Sequence, residues 1–254
     1  MKRVALATIG AALLLASPAS SIVFGELDGE RHPNVGALIA DFGDGKGILC
    51  SGTLVAPRVF LTASHCTAFL DSLGITDVWV TFDSTFDAAS PLIHGTHHTH
   101  PEFGFSGQGG FSDPHDIAVV VLDSVPAGVT PATLPTRNQL DGVDLKTQRF
   151  VAVGYGTVRE TKTKGPHTLF FDGVRRFAEQ SANSLTKSWL KLSMNPSTGS
   201  GGTCFGDSGG PHFIGTTVVS VTVTGDRFCR STDTTYRTDT DSARAFLDDF
   251  VTLP

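Results

Sequence analysis

Beyond residue 21 the chain has no run of about 18 uninterrupted apolar residues, so sequence alone offers no transmembrane helix in the body of the protein. Cations are also scarce. The 254 residues carry 19 Lys and Arg against 25 Asp and Glu, a net charge of −6. That balance argues against binding to nucleic-acid phosphates, which needs a basic face. There are only four cysteines, and none stands in a C-x-x-C spacing, which removes support for a zinc ribbon. No cysteine lies near residue 21 to take a lipid anchor. Repeats and low-complexity tracts are missing, and helical periodicity is scarce until the last residues. The two tryptophans, Trp79 and Trp189, form no functional pattern, and the 18 phenylalanines are expected mainly in the core.

What is present starts with a leader. Lys2 and Arg3, an apolar run from Val4 to Ala16 and the small residues Ser17 to Ser21 read as a secretory signal over 1–21. Its removal leaves 17 cationic residues against 25 acidic ones, a net charge near −8. An exported protein, free of the membrane once the signal is cut, is expected. In that setting Cys50, Cys66, Cys204 and Cys229 are expected to form disulfides. Three connectivities are open; joining nearest neighbours would close two loops, each stabilised by roughly 3 kcal/mol in the chain-entropy model.

Twenty-eight glycines, 13 prolines and short Val-rich runs between turn signals describe a β protein. Such runs are Val35–Ala40, Val59–Thr62, Val78–Phe82, Ile117–Leu122, Phe150–Val153 and Val218–Val223. From Asp241 onward Ala243, Phe246, Leu247, Phe250 and Val251 share one helical face, with Asp241 or Thr240 as cap. The proline-rich stretch 124–142 suits a crossing between two β halves, 22–136 and 137–254.

Three stretches carry chemistry. "GGTCFGDSGGP", 201–211, sets Ser208 among glycines, where a tight turn presents a hydroxyl and converging N–H groups together. A serine is too weak a nucleophile without a base. "LTASHC" supplies His65 at the end of an apolar strand, and "DPHDIAVVVLD" supplies Asp116 at the start of a buried one. Asp113 competes with Asp116, but it precedes Pro114 and lacks the following apolar strand. Ser208 alone also fits a plain turn serine.

Together these stretches resemble the chymotrypsin-like (trypsin-fold) serine proteases. The order His, Asp, Ser is that family's and differs from the subtilisin and α/β-hydrolase orders. "CSGTLVAPRVFLTASHC", "HPEF", "VAVGYG" and "VVSV" match further segments in sequence. The resemblance implies an all-β fold of two six-stranded antiparallel barrels, with the active site between them and a C-terminal α-helix. It implies a secreted serine endopeptidase with Ser208 as nucleophile, His65 as base then acid, and Asp116 orienting the histidine. Gly206 and Ser208 would form the oxyanion hole, and the disulfides would join Cys50 to Cys66 and Cys204 to Cys229. Ser220 would sit near Asp116 and begin the strand that pairs with substrate. Protein or peptide substrates are implied, with protein protease inhibitors as further partners, a monomeric state and no cofactor or metal. A catalytically silent binding protein on the same fold is the alternative.

For the pocket, the resemblance points to Gly202, Thr203, Phe205, Ser220, Thr222 and Thr234. Gly202 stands where trypsins have an aspartate, which disfavours cleavage after Lys or Arg. Thr222 and Thr234 would narrow the walls toward small or medium uncharged side chains, unless Asp226 turns inward. The histidines of "HGTHHTHPEF", His94, His97, His98 and His100, crowd together but lack carboxylates at ligand spacing beyond Glu102, and read as a solvated strand edge. Finally, the family buries a freshly cut Ile-Val terminus, here Ile22, against the aspartate before the nucleophile, Asp207. Cleavage after Ser21 would expose Ile22 directly; cleavage after Ala19 would leave a dipeptide to trim.

Overall fold

The computed structural model describes residues 22–104, 112–159 and 168–254; the leader, 1–21, lies outside them. A short strand β1 (Glu26–Leu27) opens the described chain. Six strands then close an antiparallel barrel: β2 (Val35–Asp41), β3 (Lys46–Ala56), β4 (Val59–Thr62), β5 (Asp77–Thr81), β6 (Ile93–Thr99) and β7 (Ala118–Leu122). They pair in the cyclic order β2-β3-β4-β7-β6-β5. Next come β8 (Arg149–Gly154), a small hairpin of β9 (Val158–Arg159) and β10 (Leu169–Phe170), then β11 (Arg176–Leu185) and β12 (Trp189–Ser193). The last strands are β13 (Pro211–Ile214), β14 (Thr217–Gly225) and β15 (Thr232–Arg237). Here β11-β12-β15-β14-β13-β8 form the second barrel, closed by pairing of β11 with β8.

The apolar runs are continuous because these strands are covered on both faces. In β2, Leu38 and Ala40 enter the interior of the first barrel with Leu54, Phe60, Val80 and Leu122. Val35, Ala37 and Ile39, pointing the other way, join a cluster that also holds Val153, Tyr155, Phe213 and Val221 of the second barrel. The barrels therefore share one apolar interface. The terminal helix α2 (Asp241–Asp248) seats Ala243, Phe246 and Leu247 in the same cluster, and Thr240 caps it by accepting from Ala243 N at 3.2 Å. It ends before Phe250.

A second helix, α1 (Ser64–Leu73), follows β4 directly and was not legible in the sequence. His65 thus sits in the first turn of a helix, a correction to the strand end expected for it. A further difference lies at the amino end. Residues 22–27 pair with the second barrel: Val23 bridges Gly202, and Glu26 and Leu27 pair with Phe177 and Arg176 of β11.

The barrels are also pinned by a buried cation. Arg175, fully buried, donates from Nε to Asp28 Oδ2 at 2.8 Å. Its other nitrogens reach the carbonyls of Gly29, Val35 and Phe82 and the hydroxyl of Tyr155. His32 holds the second oxygen of Asp28. These contacts hold Asp28 below its usual carboxylate range against the opposing effect of burial. Removing one partner of such a pair strands the other charge. Asp28→Ala is expected to cost roughly 3–5 kcal/mol, read as a fall in Tm of about 10 °C in calorimetry.

Candidate active site

The site begins with the four free N–H groups that every helix start leaves. The residue before α1 is Ala63, whose side chain cannot cap. Asp116, which lies just before β7 and is fully buried, supplies the acceptor instead. Its Oδ1 takes the N–H of His65 at 2.8 Å, and its Oδ2 meets His65 Nδ1 at 2.9 Å. One carboxylate therefore fixes both the backbone and the ring of His65. Ser64 ties the same corner further, donating to Ile117 O at 2.6 Å and accepting from His100 N at 3.0 Å. Asp113, the competing carboxylate, instead accepts from the Tyr236 hydroxyl at 2.7 Å.

Ser208 comes from the other barrel, on the turn before β13. Gly209 holds φ +75°, a conformation that an L side chain resists, and Gly206 holds φ +96°. The amides around Ser208 are largely used: Asp207 N donates to Cys204 O, Gly209 N to Thr222 O and Gly210 N to Asp207 O. The N–H groups of Gly206 and Ser208 donate to no acceptor among the described residues. Ser51 of β3 clamps the turn from the first barrel. Its N–H donates to Ser208 O at 2.8 Å and its hydroxyl to Gly206 O at 2.9 Å. That hydroxyl also accepts from Tyr155 N at 3.0 Å. Nothing in the sequence singled out Ser51.

Asp207 points inward and is fully buried. Its two oxygens accept from Gly156 N at 2.7 Å and Cys204 N at 2.8 Å. A Cβ on Gly154 or Gly156 would meet these oxygens at 2.2 and 2.3 Å, so both positions need glycine for the carboxylate to fit. No cation forms an ion pair with it among the described residues. Burial outweighs the two amides, and the Asp207 pKa is pushed up to about 7. Ile22, also fully buried, packs on Ala152 of β8 and Ala178 of β11.

Two cavities meet at Val223 and Thr224. One, of about 750 Å³, is lined by His65, Asp116, Trp189, Lys191 and Thr234. The other, of about 340 Å³, is lined by Ser208, Thr203, Phe205, Thr222 and Asp226 among others. His65 and Ser208 thus line adjacent cavities that share Val223 and Thr224, and no hydrogen bond joins their side chains among the described residues; such bonds often tighten only with substrate bound. Ser220 faces neither cavity. It is fully buried and accepts from Thr235 Oγ1 at 2.8 Å, and the strand reaches the cleft further on, at Val223 and Thr224. Gly202 is backed by the Met194 side chain, which a Cβ there would meet at 2.2 Å. The Asp226 carboxylate accepts from the amides of Phe228, Arg230, Ser231 and Thr232, which hold it below its usual range despite partial burial.

The disulfides are Cys50–Cys66 and Cys204–Cys229. The crowded histidines disperse to separate partners: His94 to Asp77 and Asp123, His97 to Asp71, and His98 to the ring of Phe250. His100 approaches Glu102 and His115 instead, within 4.8 Å of one another, but its Nδ1 already accepts from Glu102 N. No described helix is long and apolar enough to cross a membrane.

Comparison with known proteins agrees with this geometry. Residues 30–247 match the family model described as trypsin. Lectizyme of Glossina austeni is 25% identical over 228 residues, covering 85% of this chain and 80% of that protein. Kallikrein 1-related peptidase b8 of Mus musculus is 26% identical over 202 residues, covering 73% of each. Among solved structures, HL collagenase superposes with a TM-score of 0.66 at 16% identity, over 89% of this chain and 96% of that one. A structure of GrC gives 0.63 at 16% identity, over the same shares; these two likenesses concern the fold. With two closed six-stranded barrels, two disulfides and a family match across most of its length, the chain belongs to the trypsin family of serine proteases.

Proposed function

We propose that the protein is an exported serine endopeptidase in which Ser208, His65 and Asp116 form the catalytic triad. The observation that carries this reading is the double grip of Asp116 on His65 in a cavity adjoining the one that Ser208 lines. With Nδ1 donating to Asp116, Nε2 is left to accept. His65 takes the Ser208 proton as Oγ attacks the scissile carbonyl carbon, and the imidazolium is stabilised by the buried carboxylate. The carbonyl oxygen becomes an oxyanion, received by the uncommitted N–H groups of Gly206 and Ser208, each worth about 3 kcal/mol. Collapse breaks the C–N bond, His65 returns the proton to the leaving amine, and water releases the acyl group by the same route. The two disulfides favour an oxidising, extracellular setting.

The side chain before the scissile bond enters the cavity beside Ser208. Thr203 and Thr222 line its walls, Gly202 beside them is backed by Met194 and is not among the lining residues, and the Asp226 charge is spent on four amides. Thr234, in the neighbouring cavity, narrows the approach. Small or medium uncharged residues suit such a pocket.

Asp207 supports a second element, activation by the new amino terminus. A buried carboxylate without a cation is costly, and Ile22 is buried beside the strand whose glycines receive that carboxylate. Release of the leader turns the Ile22 amide into an ammonium, the cation Asp207 lacks. Export and activation are then one step or nearly one.

Two outcomes are expected. Purified mature protein should label with a serine-directed fluorophosphonate, Ser208→Ala should not, and a mixed peptide library should be cut after small or medium uncharged residues. Absence of labelling would favour a silent binding protein, and dominant cleavage after Arg or Lys would refute the pocket. The second outcome concerns pH. In the chain that retains its leader, folded Asp207 keeps until about pH 7 a proton that the unfolded chain has already released. Stability should therefore fall as pH rises from about 4 to 7, by up to roughly 1.4 kcal/mol per pH unit from this group. Denaturant titrations on a Ser208→Ala background should show the slope in the full chain, and lose it in Asp207→Asn or in a chain beginning at Ile22.

A further inference from the structure

Beside the Ser208 cavity the surface changes character. A groove of about 650 Å³ is lined by Arg159 and Leu169 of the β9–β10 hairpin, by Phe205, and by Arg227, Phe228 and Arg230 of the loop after β14. Phe205 and Arg227 line the Ser208 cavity as well, so the two spaces are neighbours. Phe205 is 62% exposed and Phe228 70%. Such exposed aromatics beside a cleft mark a contact surface rather than a core.

The three arginines have no carboxylate within ion-pair distance among the described residues, although the whole chain is acidic at −6. Asp226, the described acidic residue beside Arg227, directs its oxygens to the backbone amides of Phe228, Arg230, Ser231 and Thr232. Burial and the nearby Arg230 both lower the Arg159 pKa, the mark of two like charges held close without a counterion. Elsewhere five arginines meet carboxylates, among them Arg175 with Asp28, Arg176 with Asp172 and Arg237 with Asp141 and Asp239, while Arg31 and Arg58 bond single backbone carbonyls. Among the described residues, the groove gathers in one place three arginines that meet no carboxylate.

We propose that this groove binds an acidic segment of the polypeptide substrate, next to the residue held in the Ser208 cavity. Carboxylates would take bidentate contacts from Arg159, Arg227 and Arg230, while Phe205 and Phe228 cover the segment's apolar stems. The proposal rests on the proteolytic reading of the site. Its ligand is an acidic polypeptide, not a polysaccharide or nucleic acid, because the groove shares Phe205 and Arg227 with the cavity beside the nucleophile.

The test uses fluorogenic peptides with one common scissile residue, flanked on either side by Glu-Glu, Gln-Gln or Lys-Lys. The Glu peptides on one side should show kcat/KM about 10-fold above the Gln peptides at low salt, with the advantage shrinking at high salt. Arg159→Glu with Arg230→Glu should abolish that advantage and turn the preference toward Lys. Equal rates for Glu and Gln peptides, or a preference that survives the double variant, would overturn the proposal. Binding of a fluorescein-labelled Glu-rich peptide to Ser208→Ala protein, followed by anisotropy, removes the dependence on turnover. Protein that binds this peptide through Arg159 and Arg230 yet resists fluorophosphonate labelling would sink the protease reading and keep the groove. Protein that labels but binds no peptide, or that binds heparin fragments in its place, would sink the groove alone.

Discussion

The Asp207 carboxylate is the constraint on which the site depends. It is fully buried, with two backbone amides to satisfy it and no cation among the described residues. Because it fills the space over Gly154 and Gly156, it ties the nucleophile turn to the end of β8. Ser51 grips the same turn from the first barrel, bonding Ser208 O, Gly206 O and Tyr155 N at once. The turn that presents Ser208 is thus held from two barrels. A buried charge in low dielectric is also a poised one: it favours whichever state brings it a partner.

The same logic explains the outer frame. Arg175 gathers Asp28, Gly29, Val35, Phe82 and Tyr155, which belong to the amino-terminal segment and to both barrels. Tyr155 precedes Gly156, whose amide holds Asp207, so the two buried charges share a short piece of chain. Residues 22–27 lie along the second barrel between them, with Val23 paired to Gly202. Val23 also packs on Cys204 and Cys229, which line the Ser208 cavity, so the amino end is built in behind that wall.

Much of this was legible in the sequence because it is local. Every Val-rich run named from the sequence overlaps a strand, and the Thr240 cap with its apolar face gave α2. The disulfide pairs followed from the resemblance and are those observed. What escaped was made by distant residues. Helix α1 has no capping side chain of its own, since Asp116 caps it from 51 residues away. The Arg175–Asp28 pair spans 147 residues, and Met194 closes on Gly202 only once the second barrel forms. The strand β14 bulges between Thr222 and Thr224, and Val223 and Thr224, which line both cavities, were not named from the sequence although Thr222 was. The histidine cluster, neighbours in sequence on β6, found carboxylates and rings on different sides.

The central claim is that Ile22 becomes the missing partner of Asp207. The most direct measurement is the amino-terminal residue of active enzyme, by mass spectrometry, with fluorophosphonate labelling rate determined for each form isolated. The account predicts that fast-labelling protein begins Ile22-Val23-Phe24-Gly25. Forms that keep Ser20-Ser21 or more should label about 100-fold more slowly, the scale of losing an ordered oxyanion donor. Fully active enzyme beginning upstream of Ile22 would contradict it.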